Sequence, residues 1–198
     1  MDYIEEEAAR AKIKDGNGQV LELRKTWEAR PVVIAFVRHF GCLFCRQQVA
    51  QLRREVENIR ALGAELVFIG NGTEEFAAAF REDLGLDPPL YVDVSCASYR
   101  ASGMQRGLVR TLGAWRTWVK LGRVLLEDVR QKRGRVILRW WNRSVPALVP
   151  GTQGDAWQLG GVLVVLPDGR VPYRYVSAIA GDHPPAGEVV AALQAVAR

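Results

Sequence analysis

At 198 residues, with 48% hydrophobic and 25% charged side chains, the chain is long enough for one domain with a full apolar core and short for two. Its formal net charge of +5 is unevenly spread: residues 100–143 carry 12 Lys/Arg against Glu127 and Asp128, a net of +10, and the remainder stands at −5. No run approaches the roughly 18 apolar residues of a membrane helix, and the acidic start, MDYIEEEAAR, lacks the basic and apolar regions of a secretory signal, so the expected compartment is the cytoplasm.

After the acidic start, Asp15 to Gln19 (DGNGQ) is a turn cluster, and VLELRKTW alternates loosely as a short strand does. PVVIAFV, Pro31 to Val37, is apolar on both faces and reads as a strand in the middle of a sheet. From Leu43 to Leu62, Val49, Leu52, Val56, Ile59 and Leu62 recur at three and four, which predicts one amphipathic helix capped at Gly63. AELVFIG follows as a second buried strand, and Thr73 opens a helix through Leu84. PPLYVDV, Pro88 to Val94, reads as a third strand, at the sheet edge or begun through its prolines.

A less regular helical region is expected from Ala97 to about Arg133, followed near the C-terminus by GGVLVVLPDGRVPYRYV, two strands around a Pro-Asp-Gly turn. The last segment, PAGEVVAALQAVA, predicts a helix with Val189, Val190, Leu193 and Val196 on one face. The order is that of an α/β thioredoxin-like fold, a central mixed sheet flanked by helices, and it implies one domain over residues 1–198. Residues 107–157 form a basic, Trp-rich helical insertion in that order.

The insertion holds Trp115, Trp118, Trp140 and Trp141 interleaved with Arg and Lys. A membrane-surface or partner-binding helix fits this pattern, as does a nucleic-acid surface. The favoured reading is a helical cap that buries its Trp/Leu face on the domain or in a homodimer and leaves its arginines solvated.

The predicted fold sets Cys42 and Cys45 where the first central strand gives way to its helix. Backbone N–H groups at a helix start are unsatisfied and the macrodipole is positive there, so a thiolate at Cys42 is stabilised and becomes the nucleophile. Cys45, one turn further in, is placed to attack a mixed disulfide formed at Cys42. Arg38, His39 and Arg46 are candidates for positive charge around the pair, each with a solvated or turn role as the alternative. Zinc needs four ligands in a structural site, and only His39, Cys96 and the distant His183 could join the pair, so redox chemistry is the stronger reading. Cys96 is a candidate alternative resolving thiol, or an inert buried cysteine.

FVRHFGCLFCRQQ, together with GDAWQLGGVLVVLPDGRV, resembles the peroxiredoxin-like, prostamide/prostaglandin F synthase-like branch of the AhpC/TSA thioredoxin-like superfamily over about residues 15–197. The resemblance implies redox activity at Cys42 and Cys45, no bound metal or organic cofactor, and an external thiol reductant of thioredoxin type. The substrate class is a small-molecule or protein disulfide, or a peroxide. It also implies that Gly160 and Gly161 lie beside the cysteines, where glycine permits close backbone approach. Two departures matter: the Pro-x-x-x-Thr/Ser-x-x-Cys pattern of true peroxiredoxins has Ala35 and His39 at its Pro and Thr positions here, and Gly160 stands where they carry an arginine. Peroxide turnover is therefore expected to be slow beside dithiol exchange. The alternative, from a different class, is a redox-sensing module whose Arg/Trp-rich segment binds a partner.

Overall fold

The computed structural model describes residues 2–107 and 154–196. Nearly all of the insertion at 107–157, with its four tryptophans, and the helical region expected beyond residue 107 lie outside the described residues. Short elements open the chain: helix α1 (Glu6–Arg10), strands β1 (Lys12–Lys14) and β2 (Val20–Glu22), and a 3-10 turn (Leu23–Thr26). Next come β3 (Val32–Val37), α2 (Leu43–Arg53), α3 (Val56–Ala61), β4 (Glu65–Gly70), α4 (Glu74–Leu84), β5 (Leu90–Val92) and α5 (Ala97–Ala101). Strands β6 (Gly161–Val165) and β7 (Tyr173–Val176) and helix α6 (Ala186–Val196) complete the order.

The strands form one sheet in the order β2-β1-β5-β4-β3-β6-β7. β3 lies in its interior, parallel to β4 and antiparallel to β6, and all six of its residues are buried. Period-two alternation divides it between two cores. Val33, Ala35 and Val37 face a cluster built with Val49, Leu52, Val56 and Ile59 of α2 and α3, Phe80 of α4 and Leu193 of α6. Val32, Ile34 and Phe36 face a second cluster with Leu23, Trp27, Tyr99 and Met104. Helices on both faces explain why β3 and β4 are continuous apolar runs.

Three expectations are corrected. The single helix over 43–62 is two, broken at Arg54 and Glu55, yet Val49, Leu52, Val56 and Ile59 all still reach the first core, so the apolar spacing survives the break. The predicted cap holds: Gly63 has φ +75°, and the bonds from Gly63 N–H to Arg60 O and from Ala64 N–H to Ile59 O close the last turn. β5 is not an edge strand, because β1 joins it at Lys14 opposite Val92 and β2 takes the edge. Val196, expected on the apolar face of α6, is 37% exposed; Val189, Val190 and Leu193, with Ala186 beside them, anchor that helix.

Tyr99 connects the second core to the top of the sheet. Its hydroxyl, wholly buried, bonds to the carbonyls of Val37 (2.6 Å) and Ile69 (2.8 Å), near the C-terminal ends of two adjacent parallel strands. Those ends are where the chain leaves the sheet, and where open α/β sheets place their ligands.

Candidate active site

Cys42 occupies the N-cap of α2, with extended backbone (φ −80°, ψ 121°), and its carbonyl accepts the first helical bond from Arg46 N–H (3.1 Å). The turn before it is closed by Cys42 N–H donating to His39 O (3.1 Å). Both thiols are buried, 5% and 4% exposed, and all three cysteines of the chain are free. The apolar flanks that bury them are Phe40 and Phe44, members of the same first core.

The two sulfurs have unlike environments. Cys45 S–H donates to Cys42, which holds Cys42 well below the ordinary thiol range; burial opposes this, and the nearby charges of Arg38 and His39 reinforce it. Burial pushes the Cys45 thiol well above that range, and its hydrogen bond to Cys42 adds to the rise. The two environments therefore favour ionisation at Cys42 over Cys45. The macrodipole of α2 points its positive end at Cys42 and favours the same assignment.

Arg38 organises the surroundings. It is 8% exposed, and its backbone N–H donates to Cys45 Sγ (3.3 Å) while Nη1 reaches Cys42 Sγ (3.6 Å). The rest of the guanidinium is held by backbone carbonyls, Nη2 to Ala156 O (3.0 Å) and Nε to Gln158 O (3.3 Å). A buried cation is costly unless its donors are satisfied, and these carbonyls, together with the sulfur, take one N–H from each guanidinium nitrogen. Residues 154–159 are fixed in turn: Asn71 Nδ2 donates to Asp155 O (2.8 Å), Asp155 N–H returns to Asn71 Oδ1 (3.3 Å), Arg106 pairs with Asp155, and Gln158 Nε2 donates to Gln105 O (3.0 Å).

Gly160 and Gly161 run beside β3, and Gly160 lines the same cleft as Cys45. A Cβ on Gly160 would collide with Phe36 O, and one on Gly161 with Tyr175 O and Met104 Sδ, so the close approach is steric necessity. Gly160→Ala is expected to destabilise the fold by about 2 kcal/mol, roughly 4–8 °C in Tm, because the obstacle is backbone and cannot rotate away. A thermal melt checks it; an unchanged Tm would mean that β6 can shift freely against β3.

The remaining candidates separate. Arg46 is not at the sulfurs: one residue past Cys45 on the helix, it points to α4, pairing with Asp83 (3.0 Å) and lying 5.3 Å over the Phe80 ring. Cys96 packs in the second core while Cys42 and Cys45 belong to the first, and its thiol is pushed up to about 12 by burial and by Asp93. Its backbone is left-handed (φ 53°), an uncommon state for a residue with a side chain.

The sequence reading passed over the other wall of the site. A cleft of about 10 Å³, room for about one water, is lined by Phe36, Arg38, Cys45 and Gly160 together with Gln48 and the loop residues Ser177, Asp182 and His183. Gly181 lies so close to the Phe44 ring that a Cβ would press on it at 2.9 Å, which seats the 177–183 loop against α2. Among the described residues no helix is long and apolar enough to cross a membrane, and no three of His, Cys, Asp and Glu gather at metal-binding spacing.

A family model described as "AhpC/TSA antioxidant enzyme" matches residues 51–178, beginning just after the Cys pair. The chain is 31% identical over 182 residues to the thioredoxin-like protein AAED1, chloroplastic, of Arabidopsis thaliana, covering 91% of this chain and 69% of that one. It is 28% identical over 183 residues to prostamide/prostaglandin F synthase of Salmo salar, covering 91% and 83%. Among solved structures it is similar to peroxidoxin BcpB from Mycobacterium tuberculosis, with a TM-score of 0.65, 17% identity and 99% of each chain covered, a likeness of fold.

Proposed function

The chain belongs to the AhpC/TSA antioxidant enzyme family of thiol-dependent oxidoreductases, and from that premise we propose that it reduces disulfides, and peroxides more slowly, with Cys42 as nucleophile and Cys45 as resolving thiol. The observation that supports this reading is the unlike surroundings of the sulfurs: Cys42 sits under two donors, Cys45 S–H and Arg38 Nη1, while burial pushes the Cys45 thiol up.

In the first step the Cys42 thiolate attacks one sulfur of a disulfide, forming a mixed disulfide and releasing the other half as a thiolate. In the second, Cys45 attacks Cys42 Sγ, the Cys42–Cys45 disulfide forms, and the remaining half departs as a thiol. An external dithiol of thioredoxin type restores the pair, with no bound cofactor, in a reducing compartment such as the cytoplasm. With a peroxide the same thiolate attacks oxygen. Arg38 is then the cation available to the developing charge, but two of its nitrogens are already committed to Ala156 O and Gln158 O, so stabilisation of that transition state is weak.

A reductant-coupled assay against a disulfide, hydrogen peroxide and an organic hydroperoxide tests this, with Cys45→Ser beside wild type. Expected are multiple turnovers on the disulfide, slower ones on both peroxides, and in Cys45→Ser a single attack that ends as a trapped mixed disulfide. Turnover undiminished in Cys45→Ser would remove Cys45 from the cycle. The second reading, a redox sensor whose 107–157 segment engages a partner, is favoured by one observation: Arg38 touches both Cys42 and the last residues of that segment. A single oxidation without turnover would select it.

A further inference from the structure

The dithiol cycle leaves a problem of protons. Cys45 must lose its proton to attack the mixed disulfide, yet burial, the first cause that holds its thiol protonated, still acts once Cys42 has become part of that mixed disulfide. The charged and titratable groups that share its cleft are Arg38 at the end of β3 and Asp182 and His183 in the loop between β7 and α6. Arg38 does not deprotonate in proteins. Asp182 is engaged at both oxygens, Oδ1 accepting from Tyr175 Oη (2.7 Å) on β7 and Oδ2 from Ala178 N–H (2.9 Å), and its carbonyl accepts from Ser177 Oγ (2.6 Å). Of the three, His183 carries the kind of side chain whose ordinary pKa suits proton transfer at neutral pH.

We propose that His183 is the general base of the resolving step: it takes the proton of Cys45, across one water in the shared cleft, as Cys45 attacks Cys42 Sγ. The cleft volume of about 10 Å³ suits one water. Gln48 supplies an independent sign of it: the side chain is 6% exposed, lines the same cleft, and has its buried Nε2 without a hydrogen-bond partner, a donor that such a water satisfies. The step balances. The mixed disulfide R–S–S–Cys42 and the Cys45 thiol become the Cys42–Cys45 disulfide and RS⁻, with the proton on His183; the imidazolium then protonates RS⁻ or releases its proton to solvent. The seat of the 177–183 loop against Phe44 sets His183 in the wall of the cleft it shares with Cys45.

This inference rests on the dithiol reading, and the test separates the two. Reduced protein is mixed with one equivalent of an aromatic disulfide whose thiolate is coloured and leaves without protonation, and two releases are followed by stopped flow: the first from attack by Cys42, the second from resolution by Cys45. In His183→Asn and His183→Gln the first release is expected to keep its wild-type rate. The second is expected to slow at least tenfold at pH 7 and to converge on wild type at high pH, where Cys45 ionises unaided. A second release as fast as wild type at pH 7 in both variants overturns the proposal. So does a slowing equal at every pH, which marks a structural role. Absence of the first release in the wild-type protein overturns the dithiol reading itself, and this inference with it.

Discussion

Cys42→Ser is expected to bring reductant-coupled turnover down to the uncatalysed background, a loss of about 10³-fold or more, since a serine hydroxyl is neither ionised nor nucleophilic toward sulfur at this site. The thiolate at Cys42 owes its stability to the Cys45 hydrogen bond first and to Arg38 and His39 after it. The pH dependence has a definite sign. A thiol acid lowered in the folded protein is ionised above its lowered pKa, so alkylation of Cys42 rises with pH through a midpoint below the ordinary value of about 8.5 and is level above it. Cys45 stays unreactive over that range because its own midpoint is moved the other way. Mass-spectrometric mapping of a haloacetamide label at pH 6 to 8 should find it on Cys42. Label on Cys45 would exchange the two roles.

Arg38→Met is expected to slow attack by Cys42 about 10–100-fold at pH 7, the rate equivalent of a charged hydrogen bond of about 1.5–3 kcal/mol. The alkylation midpoint moves up, because the variant removes a cation that favoured the ionised form. A stability loss of about 1–3 kcal/mol accompanies it, as the carbonyls of Ala156 and Gln158 lose their donors. Arg38→Lys separates the effects: a lysine returns the charge but has no planar fork to reach a sulfur and two carbonyls together. The midpoint should therefore recover in part while the melt does not. A midpoint unchanged in Arg38→Met would mean that Cys45 and the helix start alone activate Cys42.

How much of this was legible in the sequence depended on how local the cause was. β3 and β4 are marked by their own residues, apolar on both faces, and the helix start that carries Cys42 follows from the strand before it and the 3.6-residue period after it. β1 was missed because Lys12-Ile13-Lys14 has one buried side chain, and a three-residue strand with one inward residue leaves no periodic trace. α1, five residues long, is equally brief. Arg38 was noted as a charge, but its partners at Ala156 and Gln158 lie 118 and 120 residues away in sequence, and spacing carries no information at that range. Arg46 was placed wrongly because nearness in sequence to Cys45 is not nearness on a helix, where one step turns the side chain by about 100°. In the sequence His183 suggests only a remote zinc ligand; the loop's contact with Phe44, a tertiary event, sets it in the cleft it shares with Cys45.

Gly107 N–H donates to Trp157 O (3.1 Å), Leu159 N–H to Gln105 O (2.9 Å), and Arg106 bridges to Gln158. Residues 105–107 and 157–159 are thus tied to each other in one clasp. Closing a loop whose ends are already joined costs only the logarithm of its length, so doubling what lies between adds about 0.6 kcal/mol. A change in the number of residues between the two halves of the clasp is therefore expected to cost the fold little so long as Asp155 and Ala156, which hold Asn71 and Arg38, are kept.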